Sequence, residues 1–331
     1  MSDLPIIDIA PLLTGSRKGR DDVDLRIGEA IRSAGGFIIS GYPDADKVDA
    51  RAHTMLRFFD LPVAEKRAVG TREMNPESAF GYRGYVASLK PGAWAYNEFF
   101  DIGPDDPSPG PDVPGMEVFA ESNQWPVREP VPGWQDAMRS YYAHMRDIGD
   151  ALMLSAGRAV GFDDEALKER FRNGNSTVRL LNYPRPPGNH KIISEMPDPE
   201  ESDLALSAGR HTDAAGLSLL WQRDPGLQAQ APDGTWRNVP MIDNCISVHL
   251  GTVLEIMTSG RVPATPHRVL NLGQPRQSIG FFLEPALGVP LAAVTETDPE
   301  TAGIRSTYGW HLLERKLEYE ARERKLAGVD E

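Results

Sequence analysis

Apolar and polar positions divide the chain into two textures. In the first, Ile6-Ile7-Asp8 reads as a short strand, Asp22 to Ser33 carries helix periodicity until Gly35-Gly36 stops it, and Phe37-Ile38-Ile39-Ser40 reads as a buried strand. Ala45 to Phe59 predicts an amphipathic helix, Leu61-Pro62 resets the chain, and Val63 to Ala68 predicts a further helical turn, since proline suits a helix start and cannot continue a helix. From Gly103 to Pro132 prolines and glycines crowd together, which predicts a surface connection and a boundary. Beyond it, Trp134 to Val160 sets Met138, Tyr141, Tyr142, Met145, Ile148, Leu152 and Leu154 mostly at helical spacing, a long scaffold helix whose aromatic stripe belongs to the core.

After Asn173-Gly174-Asn175 the second texture begins. Short β segments follow one another at Thr177 to Tyr183, Leu217 to Trp221, Leu227 to Ala231, Thr235 to Val239, Cys245 to Leu250 and Gln277 to Leu283, a spacing that suits a barrel or sandwich. Asp233-Gly234 between two of them predicts a tight hairpin. Ser306 to Arg324 mixes Leu312, Leu313, Leu317 and Tyr319 with many charges and reads as a C-terminal helix; no internal repeat is visible.

Composition narrows the class. With 40% hydrophobic and 25% charged residues the 331-residue chain is an ordinary globular one. A formal net charge of -13 repels phosphate backbones and argues against a nucleic-acid partner. Met1-Ser2-Asp3-Leu4-Pro5 has neither a basic leader nor an apolar run of signal-peptide length, and no stretch approaches the ~18 apolar residues of a membrane span, so a cytoplasmic protein is expected. The single cysteine, Cys245, makes no internal disulfide; it fits a reducing compartment and reads as a buried structural thiol.

The chemistry concentrates in three short motifs. In Arg210-His211-Thr212-Asp213, residues two apart on an extended strand face one side, so an imidazole and a carboxylate reach one point. His267 follows 56 residues later, far enough for a later barrel strand to return beside the first and close a metal face. Two imidazoles and one carboxylate are the set that leaves an octahedral Fe(II) with open positions. Nine residues further, Arg276 and Ser278 share a strand face, and a guanidinium fork with a hydroxyl can hold a carboxylate by charge-assisted bonds. Each motif alone is a weak signal; their occurrence together and in this order carries the reading.

At this point the chain resembles the isopenicillin N synthase-like group of Fe(II)/2-oxoglutarate-dependent oxygenases over nearly its whole length. The N-terminal residues concerned are Leu4-Pro5-Ile6-Ile7-Asp8, Gly36-Phe37-Ile38-Ile39-Ser40-Gly41, Phe58-Phe59-Asp60-Leu61-Pro62, Arg83-Gly84-Tyr85 and Asn123-Gln124-Trp125-Pro126. The later half adds Leu181-Asn182-Tyr183-Pro184, His211-Thr212-Asp213, Leu254-Glu255-Ile256-Met257-Thr258-Ser259-Gly260, Pro266-His267-Arg268-Val269 and Arg276-Gln277-Ser278. The resemblance implies a mainly β fold with flanking helices (α+β) and a double-stranded β-helix, or jelly-roll, core. It implies an N-terminal dioxygenase-type region over residues 4–125, the oxygenase β-helix over 174–286 and a C-terminal helix over 306–327. It further implies Fe(II) on His211, Asp213 and His267, with 2-oxoglutarate gripped by Arg276 and Ser278, assisted by Tyr183. The co-substrate would be decarboxylated to succinate and carbon dioxide as O2 oxidises a small-molecule substrate by hydroxylation, desaturation or cyclisation.

Two departures qualify that carry-over. Where many plant members have Asn-Tyr-Tyr-Pro, this chain has Leu181-Asn182-Tyr183-Pro184, so Asn182 is shifted by one position and no co-substrate contact is assigned to it. Members that do not use 2-oxoglutarate also keep the Arg-x-Ser pair, so the clamp implies an acid without naming it. Two competing readings follow: an iron oxidase of the isopenicillin N synthase type that ignores 2-oxoglutarate, and a non-catalytic barrel that binds a carboxylate and uses the triad as a structural metal site. Arg83, Tyr96, Phe282 and Trp310 are the substrate-pocket candidates, whereas Asn97 to Asp101 reads as strand packing. His53, His144, His190, His249 and His311 lack ligand-like partners at short spacing and read as solvated or core residues.

Overall fold

The computed structural model describes residues 4–14, 17–89, 95–185, 205–292, 303 and 306–326. Twelve strands among them form two sheets. The large sheet joins β1 (Ile6–Asp8), β2 (Gly36–Ser40), β3 (Gly84–Ser88), β4 (Asn97–Ile102), β5 (Thr177–Tyr183), β7 (Leu217–Gln222), β10 (Ile246–Leu250) and β12 (Arg276–Leu283) in the order β1-β2-β10-β7-β12-β5-β4-β3. The small sheet is β6 (Leu206–His211), β11 (His267–Leu270), β8 (Leu227–Gln230) and β9 (Trp236–Asn238), in that order. This is the jelly-roll expected from the sequence. Every pairing is antiparallel except β1 with β2.

Period-two alternation decides which side of the large sheet does what. On β12, Ile279, Phe281 and Leu283 point outward into the main core with Val178 and Leu180 of β5 and Phe100 of β4. That face is covered by α5 (Trp134–Ala159), whose Trp134, Met138, Tyr141, Met145, Ile148 and Leu152 are all buried, as the stripe in the sequence predicts. Trp134 stacks on Phe58 and donates its indole N–H to the Met55 carbonyl at 2.8 Å, so its one polar atom is satisfied inside the core. Burying a side chain of this size contributes roughly 1.5–3 kcal/mol. The opposite face meets the small sheet, where Leu181, Tyr183 and Leu220 pack with Ala208, Leu227, Ala229 and Val269.

The large sheet interleaves both halves of the sequence: β1 to β4 precede residue 125, yet they flank strands from the later half and share one core with them. Other helices are α1 (Ala10–Thr14), α2 (Arg17–Ser33), α3 (Ala45–Met55), α4 (Val63–Ala68), α6 (Asp164–Phe171), α7 (Thr252–Met257) and α8 (Tyr308–Leu326). The helix expected over Ala45 to Phe59 tightens after Met55 into a 3-10 turn over Leu56–Asp60, which seats Phe58 under the sheet. At the predicted hairpin, Gly234 takes φ 84° between β8 and β9, while Asp233 accepts the Thr235 N–H at 2.9 Å. Cys245 departs from the sequence expectation, being half-buried just before β10; burial still pushes its thiol upward, away from thiolate chemistry. No helix among the described residues is long and apolar enough to cross a membrane.

Candidate active site

The small sheet brings the two distant histidines together. His267 at the start of β11 is the direct cross-strand partner of His211 at the end of β6, with ring centroids 4.2 Å apart. Each ring spends its Nδ1 on a backbone carbonyl two residues back, His211 on Gly209 at 2.8 Å and His267 on Thr265 at 3.1 Å. With Nδ1 donating, Nε2 carries the lone pair, the arrangement a metal-binding imidazole needs. The two Nε2 atoms lie 3.7 and 3.6 Å from the same oxygen, Oδ1 of Asp213.

Asp213 does not sit on a strand, as the two-residue spacing suggested. β6 ends at His211, and Thr212-Asp213 lead into the bend before β7. The carboxylate is aimed by its neighbours: Ser218 of β7 donates to Oδ2 at 2.5 Å, and the N-terminus of α7 holds the backbone, with the Thr252 N–H on the Asp213 carbonyl at 2.9 Å. One ligand atom from each of the three residues falls within 4.8 Å of the others. Metal–nitrogen and metal–oxygen bonds of about 2.0–2.2 Å let one ion bridge atoms up to ~4.4 Å apart, so the observed 3.6 and 3.7 Å suit a single ion.

Electrostatics favour the metal-ready protonation state. Burial, and then the neighbouring His267, pull the His211 pKa down to about 3, so the ring is neutral at physiological pH. Burial alone would raise the Asp213 carboxyl, but the two histidines and the Ser218 hydroxyl outweigh it and hold the group below its ordinary value. A further imidazole that sequence spacing did not single out, His249 on β10, stands edge-on to His267 at 5.1 Å, with neither ring nitrogen hydrogen-bonded among the described residues. Its alternating position in Ile246-Ser247-Val248-His249-Leu250 put it on a strand face; only the pairing of His249 with Ser218 shows that this face is the one beside Asp213.

Arg276 opens β12 opposite Tyr183 of β5. It is buried, donates to Ser278 Oγ at 2.8 Å and Gln222 Oε1 at 3.2 Å, and lies 5.2 Å from the Tyr183 ring centroid. Burial lowers its pKa, and no carboxylate forms an ion pair with it among the described residues. A desolvated guanidinium without an anion is costly, which fits a position that takes a carboxylate from a ligand. Arg276, Ser278, Tyr183 and the triad thus border the space between the two sheets.

The remaining sequence candidates separate. Phe282 lies on the same face as Ser278 and is half-buried. Arg83 is fully buried and donates to Asn175 and Thr177, so its guanidinium is taken up inside the protein. Tyr96 is half-buried beside the small sheet, its N–H on the Ser207 carbonyl at 3.0 Å. Trp310 of α8 is half-buried and donates to Glu314 at 2.8 Å. Asn182 faces the other side of the sheet from Tyr183 and bonds Glu98 at 2.8 Å and Gln277 at 3.1 Å. His190 lies outside the described residues.

Comparison with known proteins adds independent findings. Residues 175–285 match the family described as the 2OG-Fe(II) oxygenase superfamily, and residues 4–128 match the one described as non-haem dioxygenase in morphine synthesis N-terminal. The chain is 29% identical to an isopenicillin N synthase of Streptomyces clavuligerus over 288 residues, covering 85% of this chain and 84% of that protein. It is 26% identical to a homoarginine-6-hydroxylase of Glycine max over 336 residues, 96% and 97% of the two chains. Its fold superimposes on that of a full-length Neurospora crassa protein, solved in complex with alpha-KG and thymine, with a TM-score of 0.72 at 23% identity, over 96% and 97% of the two chains.

Proposed function

Because the chain belongs to the isopenicillin N synthase-like Fe(II)/2-oxoglutarate-dependent oxygenases, we propose that it hydroxylates a carbon of a small molecule, with His211, Asp213 and His267 holding the iron and Arg276, Ser278 and Tyr183 holding 2-oxoglutarate. The protein is an oxidoreductase that uses Fe(II), 2-oxoglutarate and O2. The observation that carries the site assignment is the convergence of the two Nε2 atoms on Asp213 Oδ1, with a buried arginine that has no carboxylate partner among the described residues. Residues 4–125, 174–286 and 306–327 act in this reading as parts of one catalytic body, since the large sheet runs through the first two.

The chain's own residues do three things. The Gly209 and Thr265 carbonyls fix the tautomer of both histidines, so Nε2 is presented without a proton to lose. Ser218 occupies one oxygen of Asp213 and leaves the other toward the histidines, while the backbone bond from Thr252 holds the Asp213 main chain in its bend. Arg276 and Ser278 present a donor fork and a hydroxyl to the far carboxylate of the keto acid, and the Tyr183 ring shields that pair from water. When bound, Fe(II) and 2-oxoglutarate supply the oxidising chemistry: O2 is consumed, the keto acid leaves as succinate and CO2, and one oxygen atom enters the substrate.

The test is product stoichiometry. With Fe(II), 2-oxoglutarate and a panel of small carboxylic acids, amides and heterocycles, the expected outcome is one succinate per O2 consumed. Oxygen consumption without succinate would favour an oxidase that ignores 2-oxoglutarate, and bound iron without either would favour a non-catalytic barrel.

A further inference from the structure

One charged side chain on the inner face of the large sheet has no part in the assignments above. Cross-strand register places Arg276 with Tyr183, then Ser278 with Leu181, then Gly280 with Arg179, then Phe282 with Thr177. Successive inward positions on β12 are about 6.8 Å apart, so Arg179 stands one step beyond the clamp. On the next row Phe282 pairs with Ser218, whose hydroxyl holds Asp213. Along the strand axis Arg179 therefore occupies the row between that of Ser278 and that of Ser218, on the other side of β12 from Ser218.

Its geometry is that of a fixed recognition group. Arg179 donates Nε to Asp101 Oδ1 at 2.8 Å and Nη2 to Asp101 Oδ2 at 2.7 Å, and its guanidinium lies 4.1 Å from the Phe99 ring centroid and 5.8 Å from that of Phe282. The ion pair is lopsided: the Asp101 side chain is 5% exposed and that of Arg179 is 33% exposed. Nη1 makes no hydrogen bond among the described residues. Phe99, Leu181, Leu220 and Phe282 on the same face are likewise only half-buried, although their strands are covered on the other side. Together with Arg179 they form a partly exposed, mainly apolar patch on this face. Gly280 makes room for the Phe282 ring, since a Cβ there would come within 3.0 Å of that ring and 3.3 Å of Leu220.

The charges around the fork are unevenly balanced. Fully buried Arg83 donates to Thr177, the next residue of β5 on the same face as Arg179, and Thr177 donates to Glu284 at 2.9 Å. Burial pushes the Glu284 carboxyl up to about 7, so the cluster of Arg83, Arg179, Asp101 and Glu284 carries a net positive charge below neutrality. A partly exposed guanidinium, held along one edge by Asp101 and flanked by two phenyl rings, suits a carboxylate on a flat or apolar body.

We infer that Arg179, held by Asp101, is the residue that selects the substrate, and that the substrate is a small carboxylate whose body packs against Phe99 and Phe282. This deepens the oxygenase reading and rests on it for the place of the reacting carbon. Benzoate is the probe, titrated without oxygen into protein saturated with Mn(II) and 2-oxoglutarate so that Arg276 is filled. The wild type binds benzoate at least tenfold more tightly than benzamide. Arg179→Gln combined with Asp101→Asn, which leaves no unpaired buried charge, loses at least tenfold in benzoate affinity with unchanged 2-oxoglutarate affinity. Arg179→Lys, which keeps the pair with Asp101 but not the fork, falls between the two and guards against a folding defect in the double variant. Equal benzoate binding by wild type and double variant, or none by the wild type at 10 mM (roughly the weakest affinity a single charge-assisted contact leaves measurable), overturns the inference. A protein that takes benzoate through Arg179 but binds no 2-oxoglutarate would instead overturn the oxygenase reading and leave this one standing.

Discussion

His211 and His267 are opposite one another on adjacent antiparallel strands, so residues 56 positions apart in sequence become direct neighbours. The pairing is fixed by the register of β6 with β11, so the placing of the two imidazoles depends on strand pairing, while Asp213 is set by the bend that follows β6. A slip of one residue would turn one imidazole to the other face and leave the other without its partner.

Arg276 is a buried cation whose described partners are a hydroxyl, an amide and an aromatic ring. Arg276→Met should leave the ligand-free protein equally or more stable, because desolvating the charge is no longer required. The same substitution should remove the stabilisation that 2-oxoglutarate gives the wild type, about 2.7 kcal/mol at a hundredfold excess over Kd. Thermal denaturation with Mn(II), with and without 2-oxoglutarate, measures both effects.

Glu284 directly follows β12 and accepts hydrogen bonds from Tyr308 at 2.7 Å and Thr177 at 2.9 Å. Burial raises its pKa from 4.5 to about 7. The folded state then binds more protons than the unfolded chain between those values, so this group's contribution is fully present below pH 4.5 and is lost as pH rises through 7. Glu284→Gln, which mimics the protonated acid, should match the wild type near pH 4.5 and exceed it at about pH 8 by an amount on the order of 3 kcal/mol. Urea denaturation at the two pH values checks it, and a constant difference across pH would count against the assignment.

Lys66 of α4 and Glu98 of β4 form a buried ion pair at 2.7 Å, and Glu98 also accepts from Tyr85 at 2.6 Å and Asn182 at 2.8 Å. Lys66→Met strands that carboxylate inside the protein and should cost about 3–5 kcal/mol. Adding Glu98→Gln should recover most of the loss, a recovery that a pure packing effect would not give. Chemical denaturation of the single and double variants reads the difference.

Much of this was legible in the sequence. The α5 stripe, the Asp233-Gly234 turn and the run of short strands announced themselves through periodicity and turn chemistry, and His211, Asp213, His267, Arg276 and Ser278 through their spacing. What escaped depended on which strands become neighbours. Arg179 is one charge within Thr177 to Tyr183 until β4 supplies Asp101 beside it, and Asn182 has no assignable direction until β12 and β4 flank it. Arg83 is a pocket candidate in the sequence, but the fold buries it completely and turns Nη1 and Nη2 to Thr177 and Asn175. His249 was set aside for lack of a sequence neighbour, although its neighbour is the His267 ring across the barrel.

The central claim is that one metal ion held by His211, Asp213 and His267 creates the binding site for 2-oxoglutarate. Calorimetric titration without oxygen tests it most directly, first with Mn(II) and then with 2-oxoglutarate, on the wild type and on His267→Ala. The account predicts one Mn(II) per wild-type chain and 2-oxoglutarate binding only after the metal is added, with both weakened at least a hundredfold, about 2.7 kcal/mol, in the variant. Equal metal affinity in the two proteins, or 2-oxoglutarate binding that ignores the metal, would contradict it.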